Sequence, residues 1–431
     1  MRKVYISIIC VILFFQNSFA ITLPEALLQA YKNNPELNAE RENIEVSKED
    51  LNISKSEYLP SVTLSGSKSR ENTDKLTNQS GVDQSINDAN PLTQSIKIEQ
   101  TLIDFGRKAD LQKNKIGINL ASAKLKKKEQ EILLKAIEAY TGLILANKKF
   151  KISQNNLNLL ERQVETDQAR LERGQITLVD LAQSEASFAG AQAKYIEFRN
   201  EITTKKLNYE NIIGPIDNIN SLETKSNTNI ILPENLEKAI EISKKNNPDL
   251  IIAKLEYNQS EKDFIIARSE LSPSAKLSFE NSRSEDFSSS YDERNKNTLK
   301  ASITWPIYSG GKNIASVNKN KNLKKRKKLL LDSAFKTNDT NVASVWSILQ
   351  SSKSLLNSVK SQVKAAEIAN EGITVEYESG LGRSTLDVIQ SNSILLDSKI
   401  TLANSERNYL LSQFRLLQSV GLLTSDYLKL K

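Results

Sequence analysis

Strict alternation of apolar and polar residues occurs in four short places along the chain, and most of the remainder is patterned for helices. Val62, Leu64 and Gly66 interleave with Ser61, Thr63, Ser65 and Ser67, and Ile96, Ile98 and Leu102 interleave with Ser95, Lys97, Glu99 and Thr101. The same arrangement returns when Ala275, Leu277 and Phe279 alternate with Ser274, Lys276, Ser278 and Glu280. It returns again when Leu299, Ala301, Ile303 and Trp305 alternate with Lys300, Ser302 and Thr304. A period of two predicts strands with one apolar and one polar face. The stretches joining each pair, about Arg70 to Pro91 and Ser284 to Asn297, are polar and are expected to be exposed loops.

The rest of the pattern has a helical period. A helix is expected over roughly Pro35 to Glu57 and again over Pro248 to Glu270. No proline interrupts Leu92 to Gly214 or Ile307 to Lys431, and Ile132, Leu133, Ala136, Ile137, Tyr140, Leu143 and Ile144 recur at helical spacing. A helix from Lys108 to Arg173 would run ~100 Å. A break falls at Gly174, and its counterpart falls at Gly380 and Gly382. Helices of that length need coiled-coil partners.

The chain is written twice. Asn33-Asn34-Pro35-Glu36-Leu37 recurs as Asn246-Asn247-Pro248-Asp249-Leu250, and Tyr58-Leu59-Pro60-Ser61 as Leu271-Ser272-Pro273-Ser274, both at an offset of 213. Asp104-Phe105-Gly106-Arg107-Lys108 matches Tyr308-Ser309-Gly310-Gly311-Lys312 at an offset of 204, so one connection is about nine residues shorter in the second copy. The expected organisation is a first repeat over 21–214, an Asn-, Ser- and Thr-rich connector over 215–233, and a second repeat over 234–431.

Residues 1–20 read as a secretory signal peptide. Arg2 and Lys3 precede an apolar run from Val4 to Phe15, and Ser18-Phe19-Ala20 is a small-x-small cleavage site. Composition then narrows the chemistry. There is no His, and the one Cys, Cys10, lies inside the signal, which removes His-based catalysis, His-ligated metal sites and disulfides. No phosphate-binding Gly loop, Gly-x-Ser-x-Gly or metal-ligand cluster appears, so neither an enzyme nor a cofactor is expected. Lys and Arg total 59 against 52 Asp and Glu, a net charge of +7, or +5 without the signal. The basic runs Lys124 to Lys128 and Lys324 to Lys328 read as solvated helix faces, since an exported chain is not expected to bind nucleic acid.

The strands decide the reading. Their ~10-residue length suits tilted spans of a bilayer, and their polar faces carry Lys97, Glu99, Lys276, Glu280 and Lys300, suited to a watery lumen. Four strands cannot close around a lumen, so copies of the chain must pool them; two copies leave almost no bore and three leave a water-filled one. The competing reading is a periplasmic coiled-coil adaptor or structural protein without a pore. That reading expects one strand-rich module and an inner membrane anchor.

Several motifs in order then resemble the TolC-type outer membrane efflux proteins over essentially the whole mature chain. They are Leu23-Pro24-Glu25-Ala26, Asn34-Pro35-Glu36-Leu37, Leu59-Pro60, Asp104-Phe105-Gly106, Tyr308-Ser309-Gly310-Gly311 and Gly380 to Asp387 followed by Val388. The resemblance implies a mainly α chain, internally duplicated, whose long coiled-coil helices form a trimeric periplasmic α-barrel. Its four strands would contribute to a shared twelve-stranded β-barrel in outer membrane lipid. It implies a homotrimeric exit duct that works with a periplasmic adaptor (membrane fusion) protein and an inner membrane transporter. The duct would conduct small molecules or unfolded polypeptides and catalyse nothing.

The helical tips are the expected gate. Thr177 and Ser384 precede Asp180 and Asp387 by three residues, the spacing of an N-cap with an acid at N3. Capping is compatible with a second role, because three copies of Asp387 would form a cation-favouring ring. By resemblance Asp387 is an aperture aspartate, Arg383 a gating arginine, and Asp180 and Val179 its partner positions on the neighbouring tip. An Arg383 to Asp180 contact is expected, and Tyr377 or Glu378 matches a further gate position. Gln390 stands where the family often has a second acid, which implies one acidic ring. Trp305, Tyr308 and Phe105 at strand ends fit a membrane-interface aromatic belt.

Overall fold

The computed structural model describes residues 21–77, 79–223, 230–288 and 291–430. The expected signal peptide with Cys10, and residues 224–229 of the expected connector, lie outside the described residues. The elements come in two similar series. Helices α1 (Leu23–Asn33) and α2 (Pro35–Ser56) precede strands β1 (Ser61–Lys68), β2 (Glu71–Thr77), β3 (Asp83–Ala89) and β4 (Leu92–Ile103), then helices α3 (Arg107–Glu172) and α4 (Leu178–Ile212). The second series is α5 (Leu236–Asn246), α6 (Pro248–Ser269), β5 (Ser274–Ser288), β6 (Tyr291–Thr304), α7 (Lys312–Glu378) and α8 (Thr385–Ser419).

The repeated Asn-Pro motif is a joint between two helices. Asn34 ends α1, and its side-chain oxygen then accepts the backbone N–H groups of Glu36 (3.0 Å) and Leu37 (3.2 Å) at the start of α2. Asn247 does the same for Asp249 (2.8 Å), and each helix begins on proline. The short helices α1 and α5 were not expected as separate elements. Thr22 and Glu25 form a reciprocal capping box that starts α1.

Contacts divide the chain into two units, each drawn from both repeats. The first holds residues 21–38, 129–245 and 340–430 of the described chain, and the second holds 39–128 and 246–339. The first unit's core gathers Leu23, Leu27, Leu133, Ile137, Tyr140, Tyr209, Phe414 and Leu417. The Tyr140 hydroxyl lies 2.8 Å from the carbonyl of Ile21 and 3.0 Å from that of Glu223.

The second unit holds the sheet. Four strands run in the order β1-β4-β5-β6, all antiparallel, with β4 and β5 joining the two repeats. Val62 pairs with Ile98, Ile98 with Phe279 and Phe279 with Leu299, so one apolar row crosses all four strands. The neighbouring row, Thr63, Lys97, Glu280 and Thr298, lies on the other face. There Lys97 and Lys276 meet Glu99 at 2.7 and 3.0 Å. The apolar face is uncovered within the chain, with Val62, Leu64, Ile96, Ile98, Phe279, Leu299 and Ile303 all exposed. The helices of this unit also run in sequence: Ser54 of α2 bonds Asp110 of α3 (2.7 Å), and Lys113 and Lys127 of α3 pair with Asp263 and Asp249 of α6 (2.8 and 2.7 Å). Lys324 and Lys327 of α7 pair with Glu261 and Glu256 of α6 (2.8 and 2.7 Å).

The expected loops are the main correction. Much of 70–91 is the antiparallel pair β2–β3, and β5 and β6 continue through 284–297, with Ser284 opposite Arg294 and Glu285 opposite Glu293. Arg283 holds this extension through Glu285 (2.8 Å) and Glu293 (3.2 Å). Alternation reports a strand only when one face is apolar. Ribbons that are polar on both faces pair through the backbone and leave no such trace.

Candidate functional site at the two helical tips

Each tip is built from the same two devices. At the first, Gly174 takes a φ of +69°, its N–H reaches the Leu171 carbonyl, and the N–H of Gln175 reaches back to Arg170. At the second, Gly380 takes +74°, its N–H reaches Tyr377, and the N–H of Leu381 reaches Glu376. These are Schellman stops, which need a left-handed residue that glycine supplies without strain. The next helix then starts on a capping box in both cases. The Thr177 hydroxyl accepts the N–H of Asp180, and the Asp180 carboxylate accepts the N–H of Thr177 (2.9 Å). Ser384 and Asp387 repeat the exchange, with 3.0 Å for the Ser384 N–H. Hydrogen bonds from the cap backbone N–H, and next from the cap hydroxyl, hold both carboxyls below the ordinary aspartate range.

Capping therefore accounts for Asp180 and Asp387 within one chain. The Arg383 to Asp180 contact was expected between neighbouring tips; within one chain Arg383 has a different partner. Arg383 Nε instead donates to Glu376 Oε2 at 2.6 Å, seven residues back on its own hairpin. Glu376 is near in sequence and already at the helix end, whereas Asp180 is engaged by its own cap. Val179, Leu178 and Leu381 are exposed at the tips.

Tyr377 is the tip residue that reaches across. It is buried, and its hydroxyl lies 2.9 Å from Asp167 Oδ1 and 3.1 Å from the Thr385 hydroxyl. Asp167 is fully buried and also accepts from Gln163 Nε2 (3.0 Å) and Ser184 Oγ (2.5 Å). The Arg170 guanidinium stacks 4.4 Å over the Tyr377 ring. Burial chiefly raises the tyrosine's pKa. This cluster joins α3 and α4 to α7 and α8 across 210 residues of sequence. Asp167, Gln163, Ser184, Arg170 and Glu376 were not picked out from the sequence. One signal was available: Asp167 stands one heptad after the buried Leu160, a seam position where an acid is out of place.

In the second unit Trp305, Tyr308 and Phe105 are exposed at the strand ends, and Trp305 Nε1 donates to the Leu271 carbonyl at 3.1 Å. Among the described residues no helix is long and apolar enough to cross a membrane, and no group of His, Cys, Asp or Glu is arranged to hold a metal ion.

A family profile for outer membrane efflux proteins matches residues 26–214 and 239–422. The chain belongs to the outer membrane efflux protein family. Its two matched segments fall one in each repeat of the element order. Among relatives, the outer membrane efflux protein BepC of Brucella suis is 25% identical over 419 residues, covering 96% of this chain and 89% of that one. The alkaline protease secretion protein AprF of Pseudomonas aeruginosa is 22% identical over 428 residues, covering 96% and 87%. Among solved structures, the open state of the Neisseria gonorrhoeae MtrE outer membrane channel superposes with a TM-score of 0.78 at 17% identity, covering 95% of this chain and 93% of that one. Members of the outer membrane efflux protein family are channel proteins rather than enzymes.

Proposed function

We propose that this chain is the outer membrane exit duct of a tripartite efflux or type I secretion system, working as a homotrimer. One observation carries the reading: a family member's four-stranded sheet leaves its apolar face uncovered and its edge strands β1 and β6 with one partner each. An open sheet with a bare apolar face is satisfied in lipid only by closure into a barrel, and three chains close it with twelve strands. Lys97, Glu99 and Lys276 then line the lumen, and Trp305, Tyr308 and Phe105 sit at the membrane interface. The repeats 21–214 and 234–431, joined by 215–233, supply equivalent segments to the assembly.

The tips form the periplasmic gate. Asp387 lines the aperture as a single acidic ring, with Arg383, Asp180 and Val179 around it. Tyr377 holds the second hairpin against the first through Asp167. A periplasmic adaptor protein docks on the exposed tip residues and couples the duct to an inner membrane transporter. Cell fractionation with unboiled gels tests the reading. A heat-modifiable trimer in the outer membrane that conducts ions in planar bilayers supports it, and a detergent-independent single chain in the periplasm overturns it.

A further inference from the structure

Charge is distributed unequally across the helices of the sheet-bearing unit. In sequence α2 carries six acids and three bases, whereas α7 from Lys312 to Lys336 carries nine bases and one acid. The four helices lie in the order α2, α3, α6, α7, so these two are the ends of the row and each lacks a neighbour on one side. On α2, Ser54 bonds α3, and Ile44 and Leu51 are half-buried on that same side. At 100° per residue the opposite side presents Glu42, Glu45 and Glu49 with Val46 and Ile53, which are 58% and 64% exposed. On α7, Lys324 and Lys327 face α6, and the opposite side presents Lys319 and Arg326 with Leu329, which is 60% exposed. Among the described residues Glu42, Lys319 and Arg326 join no ion pair.

We propose that α2 and α7 are the two halves of a charge-paired seam, the acidic edge of one copy of this chain packing against the basic edge of the next. Depth agrees as well as sign. Glu49 and Glu42 lie seven and fourteen residues before the end of α2 at Ser56, about 10 and 21 Å along the axis. Lys319 and Arg326 lie seven and fourteen residues after the start of α7 at Lys312, about 10 and 21 Å. Helix α2 runs into β1 and α7 runs out of β6, so the two edges meet antiparallel, as α3 and α6 already do inside the chain. Strand direction agrees too: β6 and a second copy's β1 continue the antiparallel order. The seam buries Val46, Ile53 and Leu329 between flanking Glu–Lys and Glu–Arg pairs. The contact is head-to-tail and closes a ring when the rotation allows.

The seam rests on the trimer reading, and the test separates the two. The full mature chain is purified in mild detergent, and the temperature at which its trimer dissociates is read on gels and by light scattering. The variants are E42K/E49K, K319E/R326E, their combination, and the control K321E/K328E, whose lysines lie beside Tyr257 and Phe264 on another flank of α7. Each seam pair of reversals is expected to lower the dissociation temperature by about 5 °C or more. The combination restores most of the loss, the control leaves it in place, and 1 M salt narrows all the differences because screening falls to ~3 Å. Single reversals without effect, a combination no better than either half, or an equal loss in the control overturn the seam while leaving the trimer intact. A loss from the α7 reversal alone also overturns it and points to an anionic lipid headgroup on the basic residues. Wild-type protein that runs as a single chain in detergent overturns the trimer reading itself.

Discussion

Replacing Tyr377 by Phe removes a single oxygen atom from the tip and keeps the ring under Arg170. That oxygen is the one side-chain contact by which the second hairpin reaches the buried Asp167 carboxyl at 2.9 Å. Gln163 and Ser184 remain on Asp167, so the carboxyl is not stripped of partners. Between the hairpins the loss is that of one hydrogen bond, about 1.5 kcal/mol; the 3.1 Å contact with the Thr385 hydroxyl is also lost, but it lies within the second hairpin and does not bear on docking. At 1.4 kcal/mol per decade this shifts the balance between docked and released tips about 10-fold in each chain. If three tips move as one the shift is about a thousand-fold, and if they move singly it stays near ten, so the size of the effect also reports how the gate opens.

The assay is open probability and closed-state conductance of the purified trimer in planar bilayers, with amide exchange at the tips as a second readout. Asp167→Ala removes the same link from the other side and leaves Gln163 and Ser184 facing a void. It should open the channel at least as far and cost more in local protection. The double variant Y377F/D167A should then be no more open than D167A, because both break one contact. An open probability for Y377F within about twofold of wild type, with unchanged exchange at Thr385 and Val388, refutes the assignment of this contact to the gate.

Other consequences are as direct. Thr177→Ala and Ser384→Ala each remove a cap and should raise local fraying of α4 or α8 about fivefold, read as exchange of the Leu181 or Val388 amide, for a loss of about 1 kcal/mol. The carboxyls of Asp180 and Asp387 titrate below their unfolded value near 4, so their capping contribution is full above about pH 4 and is lost as pH falls through the folded values. Exchange at the tips should thus be flat on this account from pH 5 to 8, after correction for intrinsic rates, and rise only in stronger acid. Glu376→Gln and Arg383→Ser break the same 2.6 Å pair and should raise leakiness equally; a larger effect of Arg383→Ser shows that the arginine also works through a neighbouring tip. Phe279→Lys places a charge in the apolar row that crosses the sheet and should cost about 2 to 4 kcal/mol at mid-bilayer, seen as lost trimer in the outer membrane fraction.

What could be read from the sequence, and what could not, follows from the range of each signal. Asn34-Pro35 and Gly174 act on backbone within a few residues of themselves, so the helix starts at Pro35 and Pro248 and the tip breaks were visible in the local pattern, while the short helices before the prolines were not. The strands at Val62 and Ile98 showed because apolar and polar residues alternate there. Their continuation past Ser284 did not, because Arg283, Glu285 and Glu293 satisfy one another in water and impose no alternation. Pairing of β4 with β5 across the repeats follows from symmetry rather than from any motif. The tip shows the same limit most sharply. Asp180 and Arg383 stand out because they are charged residues beside turns, yet each finds a partner within seven residues of itself. The group that ties the hairpins together is Asp167, whose partner is 210 positions away. Short-range partners are available to any exposed charge at low entropic cost. A fully buried carboxyl has no such option, and its desolvation is offset only if the fold brings donors to it from several elements. An acid at a seam position is for that reason the better marker of an inter-hairpin contact than an acid at a turn.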